Sequence, residues 1–360
     1  MMGLLVNRKP SESPHDLAMR ALQRLVFGPL LFQAAVLLKR RGVLRELART
    51  AFAGLTLGEL ESRTGLSRYG TRVLLDAAEA AELVETRDGR FFPTRLGLLL
   101  EKDPLTLANL NFVADVCYRP AAHLERALDT AAPSGLSELG DFPDVYQGLS
   151  ELKPDAQESW LAFDHFYSDA AFPTIVEHLR IKGAKTLLDV GGNTGRFALV
   201  LSQSLPELSV TIADLPGQIA LARKHLGETG ALERIQLVPT DVLAKDAELP
   251  SGRDLIWMGQ FLCCFSETEI KNILGQARRA LAPGGELWIL ETLIDRQKSG
   301  AARVALQATS LYFTCVANGK GRMYHAEDLE RLIFEAGFEI EVRVEPIGWG
   351  HTLLRCRASE

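Results

Sequence analysis

The chain has 360 residues, 47% hydrophobic and 24% charged, which is enough for two or three domains with large cores. It lacks an uninterrupted run of about 18 apolar residues, and positions 1–16 do not have the basic-then-apolar order of a signal peptide, which predicts a cytoplasmic protein without a membrane partner. The net charge of −6 argues against a nucleic-acid partner, and the five cysteines show neither zinc nor disulfide spacing, so no metal is expected.

The first hundred residues alternate helical patterns with one hairpin. Residues 1–15 are polar and predict a flexible lead. Apolar residues recur at helical intervals over 18–48, with Gly28-Pro29 as a break, so that one long helix or two fit the pattern. Residues 56–59 have the form of a capping box, and 65–67 predict the turn into another helix. The inward face of that helix is expected to contain Val73, Leu74, Ala77 and Ala81.

A hairpin over 84–93, turning at Asp88-Gly89, completes a winged-helix domain predicted for 16–102. Winged helices often bind DNA, but residues 56–95 contain six arginines against seven acids. The second helix, in the position of a recognition helix, is rich in alanine and leucine and offers little to phosphates. The apolar surface therefore favours a packing role, with dimerisation preferred over DNA binding.

Residues 103–180 are predicted to be a mainly helical connector. Within it, 160–169 form a helix in which Phe163 and Phe166 share a face with Ala170, while polar residues interleave. Such a helix fits the wall of a pocket, and equally fits an amphipathic connection with a solvated polar side. His165 is the candidate base in this stretch, because the imidazole pKa lies near neutrality.

The central motif runs over 186–195, Thr-Leu-Leu-Asp-Val-Gly-Gly-Asn-Thr-Gly. It has the pattern of a buried parallel strand, a tight glycine-rich turn and the start of a helix, which is where doubly wound sheets bind ligands. The spacing is not G-x-G-x-x-G, and an acid, Asp189, stands two residues before the first glycine. The predicted cofactor-binding residues of this segment are Asp189, Gly191, Gly192, Asn193 and Gly195.

Strands and helices alternate after this motif, which predicts a mostly parallel sheet. Asp214 ends the second strand, 23 residues after Gly191, where a carboxylate accepts hydrogen bonds from ribose hydroxyls; a helix cap is the structural alternative. Further strands are expected at 235–238, 254–258 and 286–290, followed by a terminal hairpin over 336–340 and 352–356. Seven strands result.

The features that carry a resemblance to a known family are the N-terminal winged helix, Asp189-Val-Gly-Gly, Asp214-Leu-Pro, 281–285 (Leu-Ala-Pro-Gly-Gly), Glu291 and 335–338 (Glu-Ala-Gly-Phe). Through them the chain resembles the class I S-adenosylmethionine-dependent O-methyltransferases of plant phenolic and bacterial natural-product metabolism. The resemblance covers 20–358 and implies a Rossmann-like α/β methyltransferase domain over 181–360. It implies S-adenosylmethionine as cofactor, S-adenosylhomocysteine as product, a homodimer formed by the N-terminal domain, and a small hydroxylated aromatic or polyketide-like substrate. It adds these cofactor-binding residues: Leu215, Asp241, Val242 and Gln260, with Asp241 at the adenine amino group.

The resemblance fails at the catalytic base. Members of the family carry a histidine after the fourth strand, whereas alignment through Ser266 and Glu267 puts Cys263 in that place. A thiol is a poorer base than imidazole unless a neighbour forms the thiolate. Glu291 matches one of the two acids that flank the family histidine, and Met323 stands where the other is expected. The catalytic candidates are therefore Cys263, Glu291 and His165.

Several explanations remain open. The acceptor can be acidic enough to need no base, since orientation alone accelerates transfer strongly. His165 or His325 can act as base, transfer can go to carbon ortho to a phenol, or the protein binds cofactor without catalysis. Cys263 can also be ordinary core packing.

The resemblance also implies that a helix over 303–317, closed by Asn318-Gly319, covers the substrate. Aromatic walls are expected from Phe261, Tyr324 and Trp349. The predicted substrate-binding residues are Phe261, Gln307, Ser310, Leu311, Phe313, Thr314 and Tyr324.

Overall fold

The computed structural model describes residues 13–50 and 53–359. They form two compact units, divided between Ala114 and Asp115. The division falls after the predicted boundary at 102, because the helix that follows this boundary packs with the N-terminal unit. Residues 115–180 belong to the same unit as the sheet, so no separate connector is distinguished. Most of the predicted flexible lead, up to residue 12, lies outside the described residues.

The N-terminal unit is helical with a single hairpin. Two helices, not one, form before residue 41, and they meet at Phe27. No single helix among the described residues is long and apolar enough to cross a bilayer; α1 and α2, bent by 73°, pass that test only as a pair, on length and composition. The elements are α1 (Pro14–Val26), α2 (Gly28–Arg40), α3 (Val43–Arg49), α4 (Leu57–Thr64), α5 (Arg68–Ala80), β1 (Val84–Arg87), β2 (Arg90–Pro93), α6 (Arg95–Lys102) and α7 (Pro104–Phe112).

Local signals define the helix-turn-helix and the wing. Thr56 and Glu59 form the reciprocal capping box of α4. Gly65 ends α4 in the left-handed region, φ +67°, and Ser67 caps α5. One part of the prediction was wrong: Val73 is exposed. The buried stripe of α5 is shifted along the helix, so that Leu74, Ala77 and Ala81 only flank it, and it consists of Thr71, Leu75 and Ala78.

The second unit contains the predicted seven-stranded, mostly parallel sheet. Its order is β5-β4-β3-β6-β7-β9-β8, with β9 antiparallel to both neighbours. The strands are β3 (Thr186–Val190), β4 (Ser209–Asp214), β5 (Ile235–Pro239), β6 (Arg253–Gly259), β7 (Leu281–Glu291), β8 (Phe338–Ile347) and β9 (His351–Ala358). The helices are α8 (Leu124–Thr130), α9 (Val145–Gly148), α10 (Pro154–Asp169), α11 (Phe172–Lys182), α12 (Arg196–Ser204), α13 (Pro216–Thr229), α14 (Glu267–Ala280), α15 (Gly300–Tyr312) and α16 (Ala326–Glu335).

The strand order reverses at β3, which has β4 on one side and β6 on the other. Ligands of open α/β sheets bind at such a switch point, outside the carboxyl ends of the strands. The core beneath it is apolar on both faces of the sheet, as expected for an interior parallel strand. The rings of Phe197 and Trp257, for example, lie 4.7 Å apart between α12 and the sheet. The fold therefore brings the carboxyl ends of β3, β4 and β6 together at one edge of the packed core.

Two segments near the site differ in extent from the prediction. β7 begins at Leu281 and includes the Pro-Gly-Gly sequence, because Leu281 pairs with Arg253 before an irregularity, after which Glu286 pairs with Leu255. The predicted helix 303–317 starts earlier, at Gly300, and ends at Tyr312, followed by a π-helical turn over Phe313–Ala317. Gly319 then adopts φ +77°, as the predicted closing residue.

Candidate cofactor and catalytic site

The glycine-rich turn joins β3 directly to α12. Gly191 and Gly195 have φ of +76° and +78°, and Asn193 adopts φ +49°, which an asparagine tolerates better than most residues. A Cβ on Gly191 would lie 2.3 Å from Cδ2 of Phe261, and one on Gly192 would lie 2.9 Å from Oδ2 of Asp189. The turn therefore needs its glycines, because neighbouring side chains pack directly on the backbone.

Asp214 is held rigidly at the end of β4. Its Oδ2 accepts the backbone N–H of Asn193 at 2.8 Å, and its Oδ1 accepts that of Leu215 at 2.7 Å. Burial raises the pKa of Asp214 to about 6, and these two hydrogen bonds oppose that rise. Each oxygen keeps a lone pair, so the carboxylate can still accept hydrogen bonds from a ligand.

Two buried acceptors at the turn have no donor within the described part of the chain. They are Oδ2 of Asp189 and Oδ1 of Asn193. Burial, and then the nearby Asp214, raise the pKa of Asp189 to about 8. Buried polar atoms are normally hydrogen-bonded, so such acceptors point to a ligand that carries donors. S-adenosylmethionine carries an ammonium group and ribose hydroxyls, and this donor set fits the acceptors of the turn.

The predicted adenine acid follows the neighbouring strand end. The N–H of Thr240 donates to the carbonyl oxygen of Asp214 at 2.7 Å. This hydrogen bond fixes the chain just before Asp241, next to the end of β4; the glycine-rich turn 191–195 is called the cofactor turn below. Asp241 is exposed, and its Oδ1 accepts the N–H of Leu243 at 2.9 Å. Val242 is buried, and its carbonyl oxygen accepts Nε2 of Gln276.

Gln260 follows the last residue of β6 and lies in the left-handed region, φ +51°. Its Nε2 donates to Oδ1 of Asp164 at 3.4 Å, and its Oε1 lies 2.7 Å from Nε2 of His351. Oδ2 of Asp164 accepts Nδ2 of Asn193 at 3.1 Å. One partly buried chain of hydrogen bonds thus joins four segments: the glycine-rich turn, α10, the residue after β6, and β9. Burial raises the pKa of Asp164 to about 6 and lowers that of His351 to about 4.

Cys263, Glu291 and Met323, at the positions of the family histidine and its two acids, are linked by hydrogen bonds of the main chain. The N–H of Cys263 donates to Oε1 of Glu291 at 3.2 Å, and its carbonyl oxygen accepts the N–H of Arg322, next to Met323. A hydrogen bond to Cys264, burial and the nearby Glu291 raise the pKa of the Cys263 thiol above its ordinary value. Burial raises the pKa of Glu291 to about 7, although the hydrogen bonds that it accepts from backbone N–H groups act to lower this pKa. Cys263 is consequently a protonated thiol.

His165 lies at the cofactor turn. Its Nε2 lies 3.0 Å from Oγ1 of Thr194, and its Nδ1 lies 3.3 Å from the guanidinium of Arg196. Burial, then Arg196, lower the pKa of His165 to about 4. A neutral imidazole with both nitrogens engaged is a weak base.

The predicted substrate residues divide by exposure. Ser310 and Thr314 are half-buried, and Oγ of Ser310 accepts the N–H of Met323 at 3.2 Å, which ties α15 to the catalytic positions. The hydroxyl of the buried Tyr324 donates to the carbonyl oxygen of Phe265 at 2.9 Å. The remaining positions are Phe261, half-buried, Phe313, buried, and Gln307 and Leu311, both exposed.

The comparisons with known proteins agree with this geometry. The model of the O-methyltransferase domain family matches residues 165–339, and that of the Dimerisation2-like domain matches 19–91. An L-tyrosine C(3)-methyltransferase of Streptomyces lavendulae is 28% identical over 82% of this chain and 81% of its own. A 3-hydroxy-5-methyl-1-naphthoate 3-O-methyltransferase of Streptomyces sahachiroi is 27% identical over 78% of each chain.

The solved apo structure of the S-adenosylmethionine-dependent methyltransferase SibL superposes with a TM-score of 0.69 at 25% identity, covering 94% of this chain and 99% of that one. This chain belongs to the S-adenosylmethionine-dependent O-methyltransferase family. The fold class and the enzyme class expected from the sequence are thereby confirmed.

Sequence patterns do not mark every polar residue next to the candidate site. Asp164 and His351 belong to no motif, although Asp164 lies beside His165 in the stretch 160–169. Tyr146 belongs to no motif either: its buried hydroxyl has Cys264 and Tyr312 as neighbours, and burial raises its pKa. Tyr312 in turn accepts Nε1 of Trp160 at 2.6 Å. A lone tyrosine or histidine carries no spacing signal, so only the folded chain brings these groups together.

Proposed function

We propose that this methyltransferase transfers the methyl group of S-adenosylmethionine to the hydroxyl of a small aromatic or polyketide-like metabolite, without a histidine base. One observation carries the proposal. The cofactor side has a fixed carboxylate at Asp214 and unpaired acceptors at Asp189 and Asn193, whereas the position of the base holds a buried, protonated thiol.

The residues of the turn would hold the cofactor as follows. Gly191, Gly192 and Gly195 let the ligand approach the backbone, and Asp214 accepts the ribose hydroxyls next to Leu215. Asp241 and Val242 face the adenine, while Asp189 suits the ammonium group, whose charge would favour the ionised form of this buried carboxyl. When bound, S-adenosylmethionine supplies a methyl group made electrophilic by the sulfonium. No metal is required for this chemistry, and the described residues contain no group of three or more His, Cys, Asp or Glu placed to hold one.

The acceptor is inferred to reach the site as an anion. Cys263 is protonated, and His165 combines a pKa of about 4 with two occupied nitrogens. His325 is exposed at the start of α16. An acidic phenol, an enol or a carboxylate loses its proton to water near neutral pH. Orientation against the sulfonium then supplies most of the acceleration, which for well-placed groups is worth roughly 10⁵ or more in effective molarity.

A second candidate is transfer to carbon ortho to a phenol. It is favoured by the similarity to the tyrosine C(3)-methyltransferase, at 28% identity. Transfer to carbon also requires the acceptor as a phenolate. The replacement of the family histidine by Cys263 therefore fits both reactions equally.

The test uses S-adenosylmethionine with a labelled methyl group and a panel of phenols, enols and carboxylates graded by acidity. Mass spectrometry and NMR of the product distinguish O-methyl from C-methyl. Activity that follows the ionised fraction of the acceptor is the expected result, with Cys263→His extending activity to less acidic phenols. Tight S-adenosylhomocysteine binding without product from any acceptor would favour a non-catalytic role.

The protein is also proposed to be a homodimer through its N-terminal unit. The helices α1 and α2, with Phe27 between them, present eight large exposed apolar residues, and no residue of α1 is buried in the single chain. This region carries the match to the Dimerisation2-like domain. A second copy of the same surface is the partner that symmetry favours. The exposed set is Leu17, Met19, Leu22, Leu25, Val26, Phe27, Leu30 and Leu37.

A further inference from the structure

Asp164 occupies a position in the cofactor site that the reaction itself does not explain. It lies half-buried on α10, outside the nucleotide-binding motifs. Each carboxylate oxygen accepts a hydrogen bond from a different side-chain amide: Oδ2 from Nδ2 of Asn193 at 3.1 Å, and Oδ1 from Nε2 of Gln260 at 3.4 Å. One side chain thus reaches both sides of the switch point, the turn after β3 and the end of β6.

Both partners have their backbone in the left-handed region, which few residues other than glycine adopt. Among the described residues of 115–360, the non-glycine residues with positive φ are Ala131, Asn193 and Gln260. Two of these three are therefore held by the same carboxylate. A side chain in the left-handed region crowds its own carbonyl oxygen, at a cost that is smaller for asparagine than for most residues, so contacts with the surroundings help to hold the conformation. The two side-chain amides donate hydrogen bonds to the half-buried carboxylate of Asp164, and these bonds supply such contacts.

The backbone of Asn193 helps to orient Asp214. In its left-handed conformation, Asn193 donates its N–H to Oδ2 of Asp214 at 2.8 Å. If the residue relaxed, the peptide would rotate and Asp214 would lose one of its two backbone donors. On the other side, Gln260 is fixed further by His351 at 2.7 Å and by its N–H to the carbonyl oxygen of Leu290.

We propose that Asp164 is a positioning residue for the cofactor: it holds Asn193 and Gln260 in left-handed conformations and thereby keeps Asp214 directed at the ribose hydroxyls. The inference rests on the proposed binding of S-adenosylmethionine at this turn. Of the three left-handed positions of this turn, Gly191 and Gly195 are glycines and Asn193 is not, so Asn193 is the position that gains most from support. Asp164 supplies the support that glycine would make unnecessary.

The test is a double-mutant cycle on S-adenosylhomocysteine affinity, measured by calorimetry on the full chain. Asp164→Ala is expected to weaken binding roughly 10- to 100-fold, as for loss of hydrogen bonds to a charged group. In the Asn193→Gly background, where the turn needs no support, the same substitution is expected to cost at least about fivefold less. Glu158→Ala, an exposed acid on the same helix, is the matched control and is expected to leave affinity unchanged.

Asp164→Asn guards against a merely unfolded variant. The asparagine side chain keeps the shape of aspartate and one acceptor oxygen. Its NH₂ group, however, faces the NH₂ group of either Asn193 or Gln260, and two donors cannot form a hydrogen bond, so an intermediate loss of affinity is expected. A general structural role would lower the melting temperature equally in both backgrounds without altering affinity. Equal losses of affinity in the two backgrounds, or no loss, overturn the proposal. Failure of the wild-type chain to bind S-adenosylhomocysteine would instead overturn the proposed function.

Discussion

The backbone N–H of Cys263 donates to Oε1 of Glu291 at 3.2 Å, so the carboxylate that would orient a catalytic histidine binds the main chain of its replacement. Further N–H groups of this turn, from Phe261 and Leu262, also act on Glu291. The glutamate therefore stabilises the turn after β6, whichever residue occupies the position of the base.

Cys263→Ala is expected to retain activity within about threefold, because a protonated thiol accepts no proton, whereas loss of a working base costs roughly 100-fold or more. The measurement is kcat with the best acceptor of the panel. Cys356→Ala, another buried cysteine on β9, controls for the loss of packing. A loss of more than about 100-fold at unchanged cofactor affinity would assign the thiol to catalysis.

His165→Ala is expected to leave the pH-rate profile unchanged above about pH 6, since the pKa of His165 is about 4 and the residue is already neutral there. Its contacts with Thr194 and Arg196 predict a modest weakening of cofactor binding. The profile is measured for both proteins, with His15→Ala, an exposed histidine of α1, as the control. Disappearance of an ionisation from the profile of His165→Ala alone would restore this residue as the base.

Asp214→Asn is expected to weaken S-adenosylhomocysteine binding by roughly 100-fold, since an amide can face only one of the two N–H donors from Asn193 and Leu215 with an oxygen. Calorimetry measures the affinity, and Asp246→Asn, at an exposed position, is the matched control. Normal binding by Asp214→Asn would contradict the ribose assignment.

The apo protein is expected to lose stability as the pH rises. A carboxyl whose pKa is higher in the folded chain keeps more protons there, so the free energy of unfolding falls as the pH rises between the two pKa values. For Asp189 these values are 3.8 and about 8. Glu291, with a folded pKa of about 7, acts in the same direction. From about pH 6.5 to 8, urea unfolding is expected to show a decrease on the order of 1 kcal/mol.

Asp189→Asn is expected to flatten this dependence, because the amide does not ionise, while Asp246→Asn is expected to keep it. An unchanged pH dependence in Asp189→Asn would mean that the buried carboxyl is ionised throughout this range.

Leu25→Glu and Leu30→Glu, both on the exposed apolar face of α1 and α2, are expected to convert the dimer to monomer, because a charge at a buried interface is strongly destabilising. Sedimentation or light scattering measures the mass. Phe334→Glu, an exposed apolar residue on α16, is the control and is expected to remain dimeric. A wild-type chain that is monomeric at micromolar concentration would contradict the proposal directly.

Much of the fold could be predicted from local patterns. The capping box at Thr56, the two-residue turn at Asp88-Gly89 and the apolar runs of the parallel strands each depend on neighbours along the chain, so the elements were found with small errors in their bounds. The error at Val73 arose because apolar residues flank the true stripe of α5, and only packing decides which of two overlapping faces turns inward.

The sequence alone predicted the candidate cofactor site, because a strand end, a glycine-rich turn and an acid at the next strand end are close in the chain and have few physical uses. Only the tertiary structure decided what surrounds that site. Asp164, Gln260 and His351 come from three distant segments, and their function as a unit depends on hydrogen bonds that exist only after the sheet and α10 have packed. The protonation of Cys263 was likewise undecided by its identity, since burial and its neighbours set the thiol pKa.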